Sequence, residues 1–170
     1  MLSESPCVFI EHHSLYGRKG TIPEGKADHV VQPCKARIVR AGTDVTVVSY
    51  GWGVEACLSA ATALANEKIE SEVIDLRTLD DRGMDLACVG RSLRRTGMLV
   101  VVEEAPSSTS LGAKIVSRCQ ADYFDCFDGP ALRVTSMDVP VPVSRYLEQA
   151  CLPAPDSIMD TIRRAAGRRG

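Results

Sequence analysis

The sequence is poor in the features that announce chemistry. It has no Walker phosphate loop; Gly-Lys occurs once, as Gly25-Lys26, and Ala27 follows where Ser or Thr is needed. It has no Gly-x-Ser-x-Gly elbow, so the hydrolase nucleophile turn is excluded. It has no CxxC, and its seven cysteines (Cys7, Cys34, Cys57, Cys88, Cys119, Cys126, Cys151) are odd in number and irregular in spacing. Paired zinc ligands and a disulfide scaffold are therefore not expected; the cysteines read as small buried hydrophobes of a reducing compartment. No charge sign dominates: 20 Lys plus Arg against 22 Asp plus Glu give a net charge of -2. A protein built on phosphate contacts would carry a basic excess. No apolar run reaches the length of a membrane span, and Met1 to Pro6 lacks the basic and apolar regions of a signal peptide. Repeats and low-complexity segments are absent as well.

What remains is 170 residues, 45% hydrophobic and 25% charged, the composition of one ordinary globular domain with little left over. Residues 1 to about 34 are irregular, with one apolar run, Cys7-Val8-Phe9-Ile10, and a breaker-rich stretch holding Gly17, Gly20, Pro23, Gly25 and Pro33. Regular patterning starts at Lys35. Strands are predicted at Ala36–Arg40, Asp44–Tyr50, Glu72–Leu76, Met98–Val102 and Leu132–Thr135. Helices are predicted at Val54–Glu67, Met84–Arg95 with Gly97 as its stop, around Leu111, Ile115 and Cys119, and from Pro155 onward with Ser157 and Asp160 as a capping pair. Val54, Leu58, Ala61, Leu64 and Ala65 form the expected apolar stripe of the first helix, and Ile158, Ile162 and Ala166 that of the last. Alternating strands and helices imply a mainly parallel sheet with helices on both faces. The first strand has no crossover helix after it and is expected antiparallel at an edge.

Several residues are candidates for chemistry. Gly51-Trp52-Gly53-Val54-Glu55-Ala56 follows a strand and opens a helix, as a dinucleotide turn does, and Asp75 ends the next strand where a ribose-binding acid would stand. The bulk of Trp52 and the interposed Ser49-Tyr50 favour a plain strand-to-helix turn instead. His12 and His13 beside Glu11 have the residue types for acid–base work; with His29 they are the three histidines of the chain. Adjacent residues of an extended chain point to opposite sides, so His12 and His13 are poor joint metal ligands. Glu103-Glu104 ends the most apolar strand, at the sheet end where α/β proteins bind ligands. Ser107, Ser108, Thr109 and Ser110 have hydroxyls for an anion or for capping the next helix. Arg163, Arg164, Arg168 and Arg169 make a basic end to the last helix, suited to its dipole or to RNA.

Longer landmarks carry a resemblance. Val8-Phe9-Ile10-Glu11-His12, Gly42 through Gly51, Glu72 through Leu79, Thr96 through Pro106, Leu132 through Thr135, Asp138-Val139-Pro140-Val141-Pro142 and Leu152-Pro153 occur in that order. Together they resemble the C-terminal half of the E1 β subunit of thiamine-diphosphate-dependent 2-oxo acid dehydrogenases, the pyruvate, branched-chain and acetoin enzymes. The resemblance implies a transketolase C-terminal fold: a three-layer α/β/α domain, its five-stranded mostly parallel sheet carrying one antiparallel edge strand. It implies that residues 1–34 are the last strand of a truncated pyrimidine-binding domain plus a linker, and that residues 35–170 are the transketolase C-terminal-like domain. The glutamate and histidine that serve thiamine diphosphate would lie in the missing part, and His12 and His13 would not inherit their role.

The complete enzyme would use thiamine diphosphate and Mg2+ to decarboxylate a 2-oxo acid and pass the acyl group to lipoyl on E2. This chain would bind no cofactor itself, with no catalytic, cofactor or metal residue of its own. It would supply scaffold and contacts to an E1 α subunit, a second β subunit and the E2 core, through a surface including Glu104, Asp138, Arg163 and Arg164. Neither nucleic acid nor membrane is an expected partner, and the expected compartment is the cytoplasm, or the mitochondrial matrix for a eukaryotic chain. The resemblance also demotes Gly51, Gly53 and Asp75 to a structural turn, leaving a Rossmann-like module or a non-catalytic interaction domain as alternatives. One departure stands out. Family members turn through Ile-Pro-x-Gly-Lys-Ala, whereas Val31-Gln32-Pro33-Cys34-Lys35-Ala36 has Cys34 at the glycine.

Overall fold

The computed structural model describes residues 6–20 and 31–167. His29, Pro23, Gly25, Arg168 and Arg169 lie outside the described residues. The chain divides into two units, Met1–Val31 and Gln32–Gly170.

In the first unit, Val8, Phe9 and Ile10 are exposed and outside any strand. One turn of 3-10 helix spans His13–Leu15, and His12 Nδ1 accepts the Ser14 N–H at 3.3 Å. Tyr16 donates its hydroxyl to Glu11 at 3.0 Å. Among the described residues of this unit no strand is formed, so Cys7–Ile10 has no ladder to join within it.

The second unit is an α/β/α sandwich. Strands β1 (Arg37–Arg40), β2 (Val45–Ser49), β3 (Ser71–Asp75), β4 (Leu99–Pro106) and β5 (Leu132–Ser136) form one sheet in the order β1-β3-β2-β4-β5. β1 pairs antiparallel with β3 at the edge, and the other pairs are parallel. The expected edge strand and fold class are both observed. Helices α1 (Gly53–Ala65) and α5 (Pro155–Ala166) cover one face. Helices α2 (Leu86–Thr96) and α3 (Leu111–Tyr123) cover the other.

Strand alternation sorts the core into two layers. Val45, Val47, Val73, Val100 and Val102 point towards α1 and α5. Val48, Ile74, Leu99 and Val101 point towards α2 and α3. Because both faces are covered, β2 is buried throughout and reads as a continuous β-branched run. Thr46 and Ser49 are its polar members; the Thr46 hydroxyl lies 2.6 Å from those of Ser92 and Thr96, which satisfies all three inside the core.

The helix ends follow local chemistry. α2 starts at Leu86 rather than Met84 because Asp85 caps it, accepting the Cys88 N–H at 3.1 Å. It stops at Gly97, which takes a left-handed φ of 65°. In α1 the buried face is Val54, Ala56, Cys57, Ala60, Ala61 and Leu64. The expected Leu58 and Ala65 are only half-buried, since α5 packs beside α1 and shifts its buried arc towards the small residues. Ser157 does not cap α5. Ala154 is the N-cap, Pro155 opens the helix, and the Ser157 hydroxyl donates back to the Ala154 carbonyl at 2.7 Å.

Two findings were not expected from sequence. Helix α4 (Arg145–Cys151) is seven residues long and buries none of them, so no apolar stripe marked it. β4 continues through Glu103 and Glu104 to Pro106, because β5 keeps pairing with it beyond a register irregularity between Val102 and Pro106.

The cysteines divide. Cys57, Cys88 and Cys119 are buried; Cys126 and Cys151 are half-buried; Cys7 and Cys34 are exposed, against the expectation for a small core residue. All are free thiols, and burial pushes the Cys57 and Cys119 thiols up to about 12. No helix among the described residues is long and apolar enough to cross a membrane.

Candidate functional site at the carboxyl end of the sheet

The parallel strands β2, β3, β4 and β5 all present their carboxyl ends at one rim, and the sequence-flagged acids and hydroxyls gather there. Glu103 lies at its centre with 1% of its surface exposed. Both of its carboxylate oxygens lie 3.0 Å from the Gly112 N–H, in the first turn of α3. Tyr50 donates its hydroxyl to the same carboxylate at 3.0 Å. A buried carboxylate at the positive end of a helix dipole is stabilised by the free N–H groups there. Gly112 has no Cβ for a reason: one built on it would lie 2.1 Å from Glu103 Oε1. Burial, and then the charges of Glu103 and Glu104, push the Tyr50 phenol above its ordinary range, so Tyr50 remains a hydrogen-bond donor.

The loop from Ser107 to Ser110 is tied to β5 and the residues after it. Arg133 donates to the Ser110 hydroxyl at 2.8 Å and to the Ser107 carbonyl and hydroxyl, each at 3.3 Å. Ser110 also caps α3 by accepting the Ala113 N–H at 3.1 Å. Asp138 accepts the Ser108 N–H at 3.1 Å and its hydroxyl at 2.7 Å. These two bonds, with Arg133 nearby, hold the Asp138 carboxyl below the usual range. Ser136 donates to the Glu104 carbonyl at 2.5 Å. Ser107, Ser108 and Ser110 are thus engaged by Arg133, Asp138 and the end of α3. The capping role is the one observed for Ser110.

The glycine turn is structural. Gly51 has a left-handed φ of 57°, which a bulky residue resists. A Cβ on Gly53 would lie 2.4 Å from the Ser49 hydroxyl, which itself donates to the Val102 carbonyl at 2.8 Å. Ser49 therefore fills the space beneath the first turn of α1 where a phosphate would approach. Asp75, expected on a ribose, accepts the Arg77 N–H at 3.1 Å and pairs with the Arg77 guanidinium at 3.8 Å. The dinucleotide reading of Gly51, Gly53 and Asp75 is corrected accordingly.

The four candidate interface residues lie at opposite ends of the sheet. Glu104 and Asp138 belong to the rim just described. Arg163 reaches Glu67 with Nε at 2.9 Å and Nη2 at 2.7 Å, and Asp160 with Nη1 at 2.7 Å. Glu67 stands between α1 and β3, at the amino end of the strands, so Arg163 joins α5 to α1 there. That pairing, rather than RNA, is its observed engagement. Arg164 is exposed on the same helix.

Cys34, where the family resemblance implies a glycine, takes a left-handed φ of 59°. Its N–H donates to Thr78 Oγ1 at 3.0 Å, and a Cβ on Gly83 would lie 2.7 Å from its sulfur. The left-handed backbone there carries a side chain where none is favoured. Sequence reasoning flagged Glu103 but missed Gly112, Tyr50 and Arg133. The available signal was a glycine at the second position of α3, nine residues after a strand-borne acid.

Comparison with known proteins agrees with this geometry. The family model described as "Transketolase, C-terminal domain" matches residues 34–158. The pyruvate dehydrogenase E1 component subunit beta of Rhizobium meliloti (strain 1021) is 40% identical over 94% of this chain and 34% of its own length. The mitochondrial subunit of the same name from Caenorhabditis elegans is 38% identical over 95% of this chain and 46% of its own. The chain thus spans less than half the length of these relatives. Among solved structures, one titled "Split gene transketolase, inactive beta4 tetramer" matches with a TM-score of 0.70 and 22% identity, over 82% of this chain and 45% of that one.

Proposed function

The chain belongs to the transketolase C-terminal domain family, and from that premise we propose that it serves as the C-terminal domain of an E1 β subunit in a thiamine-diphosphate-dependent 2-oxo acid dehydrogenase. The observation that carries the reading is the 40% identity to an E1 β subunit across 94% of the chain. In this reading residues 1–34 supply the last strand and linker of a pyrimidine-binding domain, and residues 35–170 the domain proper. An exposed apolar run at Val8–Ile10 suits a strand whose neighbours belong to that other domain.

The cofactor is a property of the complete enzyme. Glu103 is held by Gly112 and Tyr50, Asp75 by Arg77, and the buried Glu72 by Arg95. Among the described residues no three His, Cys, Asp or Glu side chains converge to hold a metal ion. With these acids already engaged, the described residues offer no set that fits a Mg2+–diphosphate group.

The role of the domain is then to present contacts from a rigid frame. The rim with Glu104 and Asp138 and the far end with Arg163 and Arg164 are two separate surfaces for an E1 α subunit, a second β subunit and the E2 core. The compartment follows the host: cytoplasm for a bacterial chain, matrix for a mitochondrial one.

Co-expression tests the reading. The chain, an E1 α subunit and the amino-terminal half of an E1 β relative are produced together and in pairs. Pyruvate decarboxylation is expected only when all three are present and co-purify. Tight binding of thiamine diphosphate and Mg2+ by the chain alone, in a calorimetric titration, would overturn it. So would its failure to associate with either partner.

A further inference from the structure

The segment between β5 and α5 is fastened to the domain at few points. From Met137 to Ala150 every residue except Pro142 is exposed. None of them belongs to either apolar layer of the core. Burial returns at the two ends, where Ser136 and Pro153 are buried. Helix α4 lies inside this segment and buries none of its seven residues. An isolated helix this short is unstable in water, because too few hydrogen bonds follow its costly first turn. Contacts outside α4 must therefore hold it.

The polar contacts identify the fastening. The Val139, Glu148 and Leu152 N–H groups donate to the carbonyls of Met137, Ser144 and Glu148, all within the segment. The Met137 N–H donates to the Cys151 carbonyl at 3.0 Å and ties the two ends to each other. Pro140 and Pro142 have no N–H to give. The salt bridges among the described residues leave the segment out. The bonds that reach back to the frame of the domain are those of Asp138, whose carboxylate accepts the Ser108 N–H at 3.1 Å and the Ser108 hydroxyl at 2.7 Å. Ser108 is itself anchored, because Arg133 holds Ser107 and Ser110 on either side of it.

A region with few buried apolar contacts and solvent-exposed backbone bonds opens at a lower free energy than the core. We propose that Met137–Leu152 is a strap that opens as a unit while the sheet and its four covering helices stay folded, and that the contact between Asp138 and Ser108 is its catch. Closed, the strap holds α4 and sets Val139, Val141, Val143, Tyr146 and Leu147 in one fixed, exposed array. Open, it loses both the helix and the array. Ser108 lies in the loop that leads into α3, so a change in that loop is felt at α4. Any partner that binds the closed form alone tightens the catch by mass action.

The test is amide hydrogen exchange, followed by NMR, on the full 170-residue chain in increasing sub-denaturing urea. It needs no cofactor and no other subunit, so its outcome is separable from that of the co-expression experiment. The Glu148 and Leu152 amides are expected to exchange ahead of those of β2 and β4, at rates that urea barely changes, as local opening requires. Ser108→Ala keeps the N–H donor but removes the hydroxyl. It is expected to speed exchange in α4 by about tenfold, with the core amides and the urea midpoint unchanged. Ser108→Glu sets a like charge against Asp138 and is expected to speed it at least as much. Asp138→Asn, which weakens the same two bonds, carries the test from the other side should a Ser108 variant fail to fold. Three results would each overturn the proposal. One is α4 amides that exchange together with the core. Another is α4 amides that are unprotected in the wild type, or unmoved by the variants. The third is core amides that accelerate as much as those of α4, which is what a general structural role for Ser108 would give.

Discussion

Gly112 donates its backbone N–H to the buried carboxylate of Glu103 from 3.0 Å, and a methyl group on Gly112 would lie 2.1 Å from that carboxylate. The strand reaches the helix here through the Glu103 side chain alone, with Gly112 contributing only backbone. Gly112→Ala is therefore expected to destabilise the domain by about 1–3 kcal/mol, because the new methyl displaces the buried Glu103 carboxylate from its Gly112 and Tyr50 donors. Glu103→Gln keeps the shape but exchanges a charge-assisted acceptor for a neutral amide, and is expected to cost about 1–3 kcal/mol. Urea denaturation of the two variants measures both. A Gly112→Ala protein with an unchanged midpoint would show that the contact is slack.

How far the sequence reaches can be judged from such contacts. The strands, the edge position of β1 and the helices α1, α2, α3 and α5 were legible because β-branched runs and 3.6-residue stripes record burial directly. Helix α4 was not, since a helix that buries nothing leaves no stripe. At the rim, Glu103 was legible as an acid at a strand end, but its partner Gly112 was not: a glycine chosen for close approach looks like any other until the approaching atom is known. Ser157 was misread because a hydroxyl near a helix start can donate backwards as easily as it can cap.

Cys34 offers a test of backbone strain. At φ 59° a residue with a Cβ is disfavoured by roughly 1–2 kcal/mol relative to glycine. Cys34→Ala keeps that penalty and loses the sulfur packed beside Gly83. Cys34→Gly removes the penalty and offsets part of the gain through its more flexible unfolded chain. The glycine variant is expected to be more stable than the alanine variant by about 1 kcal/mol. Thermal denaturation of the pair reads the difference, and equal stability would place the strain elsewhere.

Asp75 gives a pH signature. Burial raises its carboxyl above the ordinary range, with the Arg77 N–H, Arg77 and Arg37 pulling the other way. A folded-state value above the unfolded one means that the native protein holds the proton more tightly. Stability from this group is therefore full below the unfolded value, about 3.9, and is lost as pH rises through the folded value. Asp75→Asn removes the loss, and its amide oxygen can still accept the Arg77 N–H. The variant is expected to match the wild type at acid pH and to exceed it at neutral pH. A melting-temperature profile in which the two curves run parallel, or cross the other way, would refute this assignment.

The turn at Gly53 separates a packing role from a ligand role. If Gly53 is glycine because Ser49 lies beneath it, Gly53→Ala must overpack that contact and destabilise by about 1–3 kcal/mol. Ser49→Ala clears the space but leaves the Val102 carbonyl without its side-chain donor, at a cost near 1 kcal/mol. Combined, the two changes relieve one another, because the hydroxyl that the new methyl would strike is gone. The double variant is expected to be more stable than the sum of the single losses, with a coupling of about 0.5–3 kcal/mol. A glycine kept for a dinucleotide would show no such coupling to Ser49, and its loss would instead abolish NADH binding. Denaturation of the four proteins together with an NADH fluorescence titration of the wild type distinguishes the two: coupling with no titration is the result that the contact between Ser49 and Gly53 requires.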